Sequence, residues 1–402
     1  MPALDVPQPE FMDDEEIAIF ADAVGKFYEK HAPEKRVLKW REDGQVDRDF
    51  WRDAGEAGLL GASVPEEYGG HGGDFRHEMV VIDQQGRHNV EGFAASLHNT
   101  IILPYLVRHG TEEQKKKYLP RLVSGDLVSA IAMTEPGVGS DSANIKTTAV
   151  LDGDEYVING QKIWTSQGHN ANWIFVLCRT DPSVVKHAGI SFLLCPINQP
   201  GVEVRAIVNA SGHHDFNEVF FSDARAPREN VLGGVNNGWA VANTLLAYER
   251  GDDSTTNGIR YGEEWQRLVD VARDYGKLDD PLMRQRFVEA YTTTQIMKFM
   301  GLQTVARSLR GYSQGPESSL NKLLWSEHHK RFTELAMDVI ARDEDVDQMY
   351  NALFREFLTF MMEDPRNITS CMHLHFIAKN VERMGDLVTS IAEQVVYLVT
   401  GT

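Results

Sequence analysis

The spacing of apolar residues changes period twice along this 402-residue chain, and those two changes limit what it can fold into. From the start, apolar positions recur three and four residues apart, as Ile17, Phe20, Val24 and Phe27 do, which suits one face of a helix. At Leu127 short runs rich in β-branched and aromatic residues, separated by Gly, Asn and Asp, take over. At Gly238 the helical spacing returns. The chain is therefore expected to be α+β and multidomain: an N-terminal helical domain over 1–126, a middle antiparallel β-barrel or sandwich domain over 127–235, a C-terminal helical bundle over 236–340, and a helical tail over 341–402.

Local signals refine this. The acidic turn Asp13 to Glu16 predicts a helix start, and further helices are expected at Arg48 to Ala57, His77 to Arg87, Gly92 to His109 and Thr111 to Leu122. Gly69 to Gly73 lacks the Lys-Ser/Thr pair of a phosphate loop and reads as a flexible surface loop. Val150 to Asp152 turns through Gly153 and Asp154 into Tyr156 to Ile158, and Asn159-Gly160 predicts a second turn. Strands are expected at Trp173 to Cys178, Ile190 to Leu194, Gly201 to Ile207 and Asn217 to Phe221. Helices follow at Trp239 to Arg250, Gly262 to Tyr275, Pro281 to Leu309 and Pro316 to Ile340, with a break expected over Gly251 to Gly258.

A formal charge of −19 argues against nonspecific nucleic-acid binding, and no apolar run is long enough to span a bilayer. Cys178, Cys195 and Cys371 show neither CxxC spacing nor an even framework, which fits a reducing compartment. The N-terminus shows no basic apolar signal, so a cytoplasmic location is expected.

Inside the middle region, IAMTEPGVGSDSANIKTT from Ile131 to Thr148 packs small residues, turn formers and hydroxyls directly after an apolar run. Pro136, Gly137 and Gly139 permit sharp turns that leave main-chain N–H groups and the hydroxyls of Thr134 and Ser140 free to face a ligand. GQKIWTSQG follows from Gly160 to Gly168.

Together the two stretches resemble the acyl-CoA dehydrogenase family, from about Ile17 to about Ile340; TEPGVGSD is similar to its flavin signature. Removing hydrogens from carbons α and β of an acyl thioester needs a base and a hydride acceptor, and no amino acid accepts hydride. The resemblance implies FAD in that role, bound by Ile131, Met133, Thr134, Gly139, Ser140, Trp164, Thr165 and Ser166, with Trp164 stacking and Ser166 hydrogen-bonding near N5. Ser140, Phe93, Ser96 and Tyr248 are the implied substrate contacts. The implied product is the trans-2-enoyl-CoA, with electrons passed to an electron-transfer flavoprotein and the chain assembled as a dimer or tetramer. No segment like the family's EGTSQI exists here, whereas Leu246 to Arg250 is similar to its other base-bearing pattern, so Glu249 is the implied general base with Arg250 shaping its surroundings. The family's RxxFG pattern is absent.

From about Ala341 the sequence instead resembles the PhoU family of phosphate-uptake regulators, through MMEDPRNI and FIAKNVERMGD. Asp343 with Asp347, and Glu382 with Asp386, have the i, i+4 spacing that lets two carboxylates share a cation, although such pairs are more often solvated faces, and no metal site is expected. The chain thus reads as a hybrid. Its rivals to a dehydrogenase are a scaffold that no longer retains flavin and a PhoU-like phosphate-signalling regulator acting through the tail.

Overall fold

Asp14 accepts the Glu16 N–H and so opens the first helix, α1 (Glu15–His31), whose Ile17, Val24, Phe27 and Tyr28 turn inward. The computed structural model describes residues 9–209, 214–312, 317–340, 353 and 355, with the backbone alone described at 250–255 and 317–318. α2 (Glu34–Asp43) follows, then α3 (Arg48–Glu56), α4 (Phe75–Arg87), α5 (Leu103–His109) and α6 (Glu112–Val123). Asp47 caps α3 by accepting the Phe50 N–H at 2.9 Å, and reciprocal capping boxes at Asp74/His77 and Thr111/Gln114 open α4 and α6. α2 went unread in the sequence because it buries only Val37 and Trp40, too narrow a face to show a period.

Phe50 is fully buried, edge-to-face with Phe93 at 5.0 Å and tilted on Trp40 at 4.7 Å. Such a residue anchors a core whose truncation to Ala costs about 3–5 kcal/mol. The glycine run is not the flexible loop expected. Gly72 and Gly73 donate to the Val64 and Ala62 carbonyls at 2.9 Å, and a Cβ on Gly70 would lie 2.1 Å from the Val64 oxygen.

The middle region forms one eight-stranded sheet from β1 (Ser129–Ala132), β2 (Thr148–Asp152), β3 (Glu155–Ser166), β4 (Trp173–Arg179), β5 (Ile190–Pro196), β6 (Val202–Val208), β7 (His214–Pro227) and β8 (Val231–Leu232). Its order is β6-β7-β3-β2-β4-β5-β8, mostly antiparallel, with β1 running parallel to β4. β4 is apolar from Trp173 to Cys178 because both its faces are covered. Phe175 and Leu177 pack toward the helical side, where Tyr105 meets Phe175 edge-on at 5.0 Å, while Ile174, Val176 and Cys178 fill the second core with Ile158, Val219 and Phe221.

Asn159-Gly160 makes no turn; β3 runs straight through it with a register shift. The glycine is needed for close approach instead, since a Cβ there would lie 2.5 Å from Thr147 Oγ1.

α7 (Gly238–Asp274) is likewise continuous where a break was expected. Gly258 lies against the backbone of α8 (Pro281–Leu309), where a Cβ would come within 2.6 Å of the Lys298 nitrogen. Its contribution is close helix crossing, and the Asp, Ser and Thr residues before it carry helix penalties of only a few tenths of a kcal/mol each.

The chain divides into two compact units, one of residues 1–260 with 296–322 and one of residues 261–295 with everything from 323 onward. The second contains the later part of α7, the first part of α8 and most of α9 (Glu317–Ile340). Its core gathers Leu268, Ala272, Met283, Phe287, Phe332, Leu335 and Val339. Tyr261 stacks on His329 at 4.8 Å, and His329 pairs with Glu264 at 3.2 Å. Of the expected helical tail only Leu353 and Arg355, both helical, are described; Cys371 and the carboxylates Asp343, Asp347, Glu382 and Asp386 lie outside the described residues. Among the described residues no helix is long and apolar enough to cross a membrane, and no three His, Cys, Asp or Glu groups gather as for a metal.

Candidate active site

β1 delivers the chain into the loop 133–140, where Glu135 and Val138 exchange main-chain hydrogen bonds of 3.1 and 2.9 Å and close a tight turn. The Ile163 N–H donates to the Thr134 carbonyl at 3.0 Å, seating this loop beside β3. β3 then leaves its register with β7 between Lys162 and Thr165, and Trp164 and Gln167 take φ values of 60° and 59°. A left-handed non-glycine residue costs about 1–2 kcal/mol, and such strain is found where a site requires a particular side-chain direction. Here the bulge turns Trp164 outward, leaving a large aromatic residue 54% exposed with an edge contact from Phe216 at 6.0 Å.

Beneath the loop lies a buried ion pair. Lys162 is fully buried, and its Nζ donates to Glu135 Oε1 at 2.9 Å and to the Met133 carbonyl at 3.0 Å. Glu135 also accepts the Lys146 and Thr147 N–H groups at 2.7 and 2.9 Å. Burial opposes its ionisation, but Lys162 and those two donors outweigh it and hold the carboxyl below the usual range. Neither residue was singled out in the sequence, where a lysine in a strand reads as outward-facing.

Ile131, Met133, Thr134 and Ser166 are half-buried, whereas Gly139 and Ser140 are exposed. A Cβ on Gly137 or Gly139 would meet open space. Thr165 is buried with its Oγ1 lacking a partner. An aromatic face held in solvent, an open glycine loop bearing the Thr134 and Ser140 hydroxyls and an unsatisfied buried hydroxyl beside it form a donor set that suits a large planar cofactor bearing ring carbonyls and a phosphate tail. The FAD expected from the sequence therefore fits these residues.

An open cleft of about 100 Å³ lies next to the bulge, lined by Trp40, Gly44, Gln167, His169, Asn170 and His214. His169 and His214 approach to 4.1 Å, and burial together with His214 pushes His169 down to about 4, so it is neutral near pH 7.

The other expected residues separate. Tyr248 is half-buried and Glu249 exposed on α7, which continues past both; the side chain of Arg250 lies outside the described residues. Phe93 belongs to the N-terminal core, against Phe50 and Trp51, and leaves Ser96 as the more accessible of the two expected substrate contacts on that segment. Just beyond, Leu97–Ile102 is a π-helical turn, a form enriched at functional sites. Its Asn99 accepts the Gly61 N–H and donates to the Leu59 carbonyl. Close by, Glu78 is buried and pushed up to about 7 by that burial, with Ser63 and Asn99 opposing.

The order of a helical domain, a mostly antiparallel β domain and a helical C-terminal part is that of the acyl-CoA dehydrogenase fold. Residues 14–126, 130–224 and 236–350 match the N-terminal, middle and C-terminal domains of acyl-CoA dehydrogenase, and residues 317–395 match the PhoU domain. Acyl-CoA dehydrogenase IpdE1 of Mycobacterium tuberculosis is 40% identical over 286 residues, 71% of this chain and 74% of that protein. Among solved structures, an acyl-CoA dehydrogenase from Geobacillus kaustophilus is 34% identical with a TM-score of 0.74, covering 81% of this chain and 88% of that one. The Tcur3481-Tcur3483 steroid ACAD is 31% identical with a TM-score of 0.74, covering 85% and 87%. The chain belongs to the acyl-CoA dehydrogenase family of flavin oxidoreductases and carries a PhoU match at its C-terminal end.

Proposed function

We propose that this chain binds FAD and dehydrogenates an acyl-CoA thioester between carbons α and β, yielding the trans-2-enoyl-CoA. The observation that carries this reading is Trp164, held outward at a cost in backbone strain beside the open loop of Thr134 and Ser140. Bound FAD supplies the hydride acceptor that side chains cannot. Ile131, Met133, Thr134, Gly139 and Ser140 hold one side of it through main-chain and hydroxyl groups; Trp164 offers its ring face, and Thr165 and Ser166 offer hydroxyls. Glu249 takes the α proton at its carboxylate, and cofactor and substrate together provide the dry surroundings that raise its proton affinity. Arg250 shapes that environment, while Ser140, Ser96 and Tyr248 contact the thioester and acyl chain. An electron-transfer flavoprotein as acceptor, a homo-oligomeric assembly and a cytoplasmic site of action belong to the same proposal. The similarity to the Tcur3481-Tcur3483 steroid ACAD supports including bulky ring-bearing acyl groups among the substrates to be tried.

The test is spectroscopic. Purified protein is expected to be yellow and to bleach on adding an acyl-CoA, whereas Glu249→Gln keeps the flavin and does not bleach. Colourless protein that cannot be reconstituted with FAD refutes the reading, and bleaching by Glu249→Gln assigns the base elsewhere.

A second reading, a phosphate-signalling regulator acting through the tail, is favoured by the PhoU match over 317–395. Stoichiometric iron or magnesium in the protein, lost on changing Asp343, Asp347, Glu382 and Asp386 to Asn or Gln, is its expected signature.

A further inference from the structure

Three independent ties meet under the loop 133–140. Lys162 Nζ reaches both Glu135 Oε1 (2.9 Å) and the Met133 carbonyl (3.0 Å). The Glu135 carboxylate accepts two main-chain N–H groups from Lys146 and Thr147, where the chain returns toward β2. The Thr134 carbonyl accepts the Ile163 N–H, and Ile163 stands between Lys162 and the strained Trp164. One fully buried ammonium therefore joins the end of β1, the far side of the loop and the strand that displays the tryptophan.

We propose that Lys162 and Glu135 are positioning residues that fix the distance between the hydroxyl-bearing loop and the Trp164 ring, so that the two faces the cofactor meets are set before it arrives. A core built for stability alone is served as well by apolar side chains, since buried ion pairs often contribute nothing net. What an apolar pair cannot do is grip the Met133 carbonyl and the Lys146 and Thr147 amides at once, and that grip defines the loop's shape. The inference rests on the flavin reading for what the loop faces, but not for the loop's own rigidity.

The test compares Lys162→Met, which strands a buried carboxylate, with the double variant Lys162→Met/Glu135→Leu, which removes both charges, and with Lys162→Arg. Thermal unfolding, FAD dissociation constants and amide hydrogen exchange at Val138 and Ile163 are measured on each full-length protein. The double variant is expected to recover the melting temperature lost in Lys162→Met while its FAD affinity stays at least tenfold below wild type. Its Val138 and Ile163 amides are expected to exchange at least tenfold faster than in wild type, with or without FAD. Lys162→Arg, which keeps a cation at the site, is expected to restore part of the affinity. Affinity that recovers together with melting temperature in the double variant, or amides that remain protected in it, overturns the proposal. If wild type itself binds no FAD, the exchange measurement still decides the loop's rigidity, and the flavin reading alone fails.

Discussion

The Glu78 carboxylate accepts the Ser63 N–H at 2.7 Å through one oxygen, while its other oxygen is buried without a partner. Burial raises this carboxyl from 4.5 to about 7. Between those values the folded chain holds a proton that the unfolded chain releases, so stability falls as pH rises through this window and is flat above it. Glu78→Gln cannot ionise and is expected to remove that dependence, stabilising the protein by roughly 3 kcal/mol at pH 8 and little at pH 4.5. Melting temperatures at the two pH values check it, and equal gains at both would contradict the assignment.

Asp47 shows the opposite sign. Burial works against its ionisation, but Arg36 at 2.7 and 2.9 Å, the Trp40 Nε1–H at 2.6 Å and the Phe50 N–H pull the carboxyl down to about 2. Its stabilisation is present above about pH 4 and lost as pH falls toward 2. Because the pair is partly exposed, screening limits the loss in Asp47→Asn at pH 7 to about 1 kcal/mol, the cap being retained. Urea midpoints at pH 7 and pH 3 are expected to show a smaller difference between variant and wild type at the lower pH.

Gly258→Ala tests why α7 does not break. On an open helix the change gains up to about 1 kcal/mol, but here the added carbon meets the Lys298 backbone, and a net loss of about 1–3 kcal/mol is expected. A higher urea midpoint would show that the two helices do not cross closely.

Trp164→Gly relieves the left-handed strain while removing the ring. The apo protein is expected to gain about 1 kcal/mol and to take up FAD at least tenfold more weakly. A variant less stable and equally able to bind FAD would identify the tryptophan as core rather than site.

These cases show what the sequence made legible. Periodic stretches were read well: Pro281 to Leu309 is a helix over that whole span, and β4 and β5 extend the strands expected for them by a residue or two. Two of the failures share a cause. Gly160 and Gly258 carry the same local signal as a turn or a break, yet each is glycine because another backbone passes within reach of a Cβ. That requirement exists only once the fold does. The site was half legible for a related reason. Thr134, Ser140 and Trp164 sit in a recognisable pattern, whereas Lys162 and Glu135, which tie them together, are ordinary charged residues until both are seen to be buried.

α9 matches both the dehydrogenase C-terminal domain and the PhoU domain, and Phe332, Leu335 and Val339 on it close the core of the second unit. The two family matches therefore overlap on one helix. Any exchange of what lies at this end of the chain therefore has to preserve those three side chains or leave a cavity where they now pack.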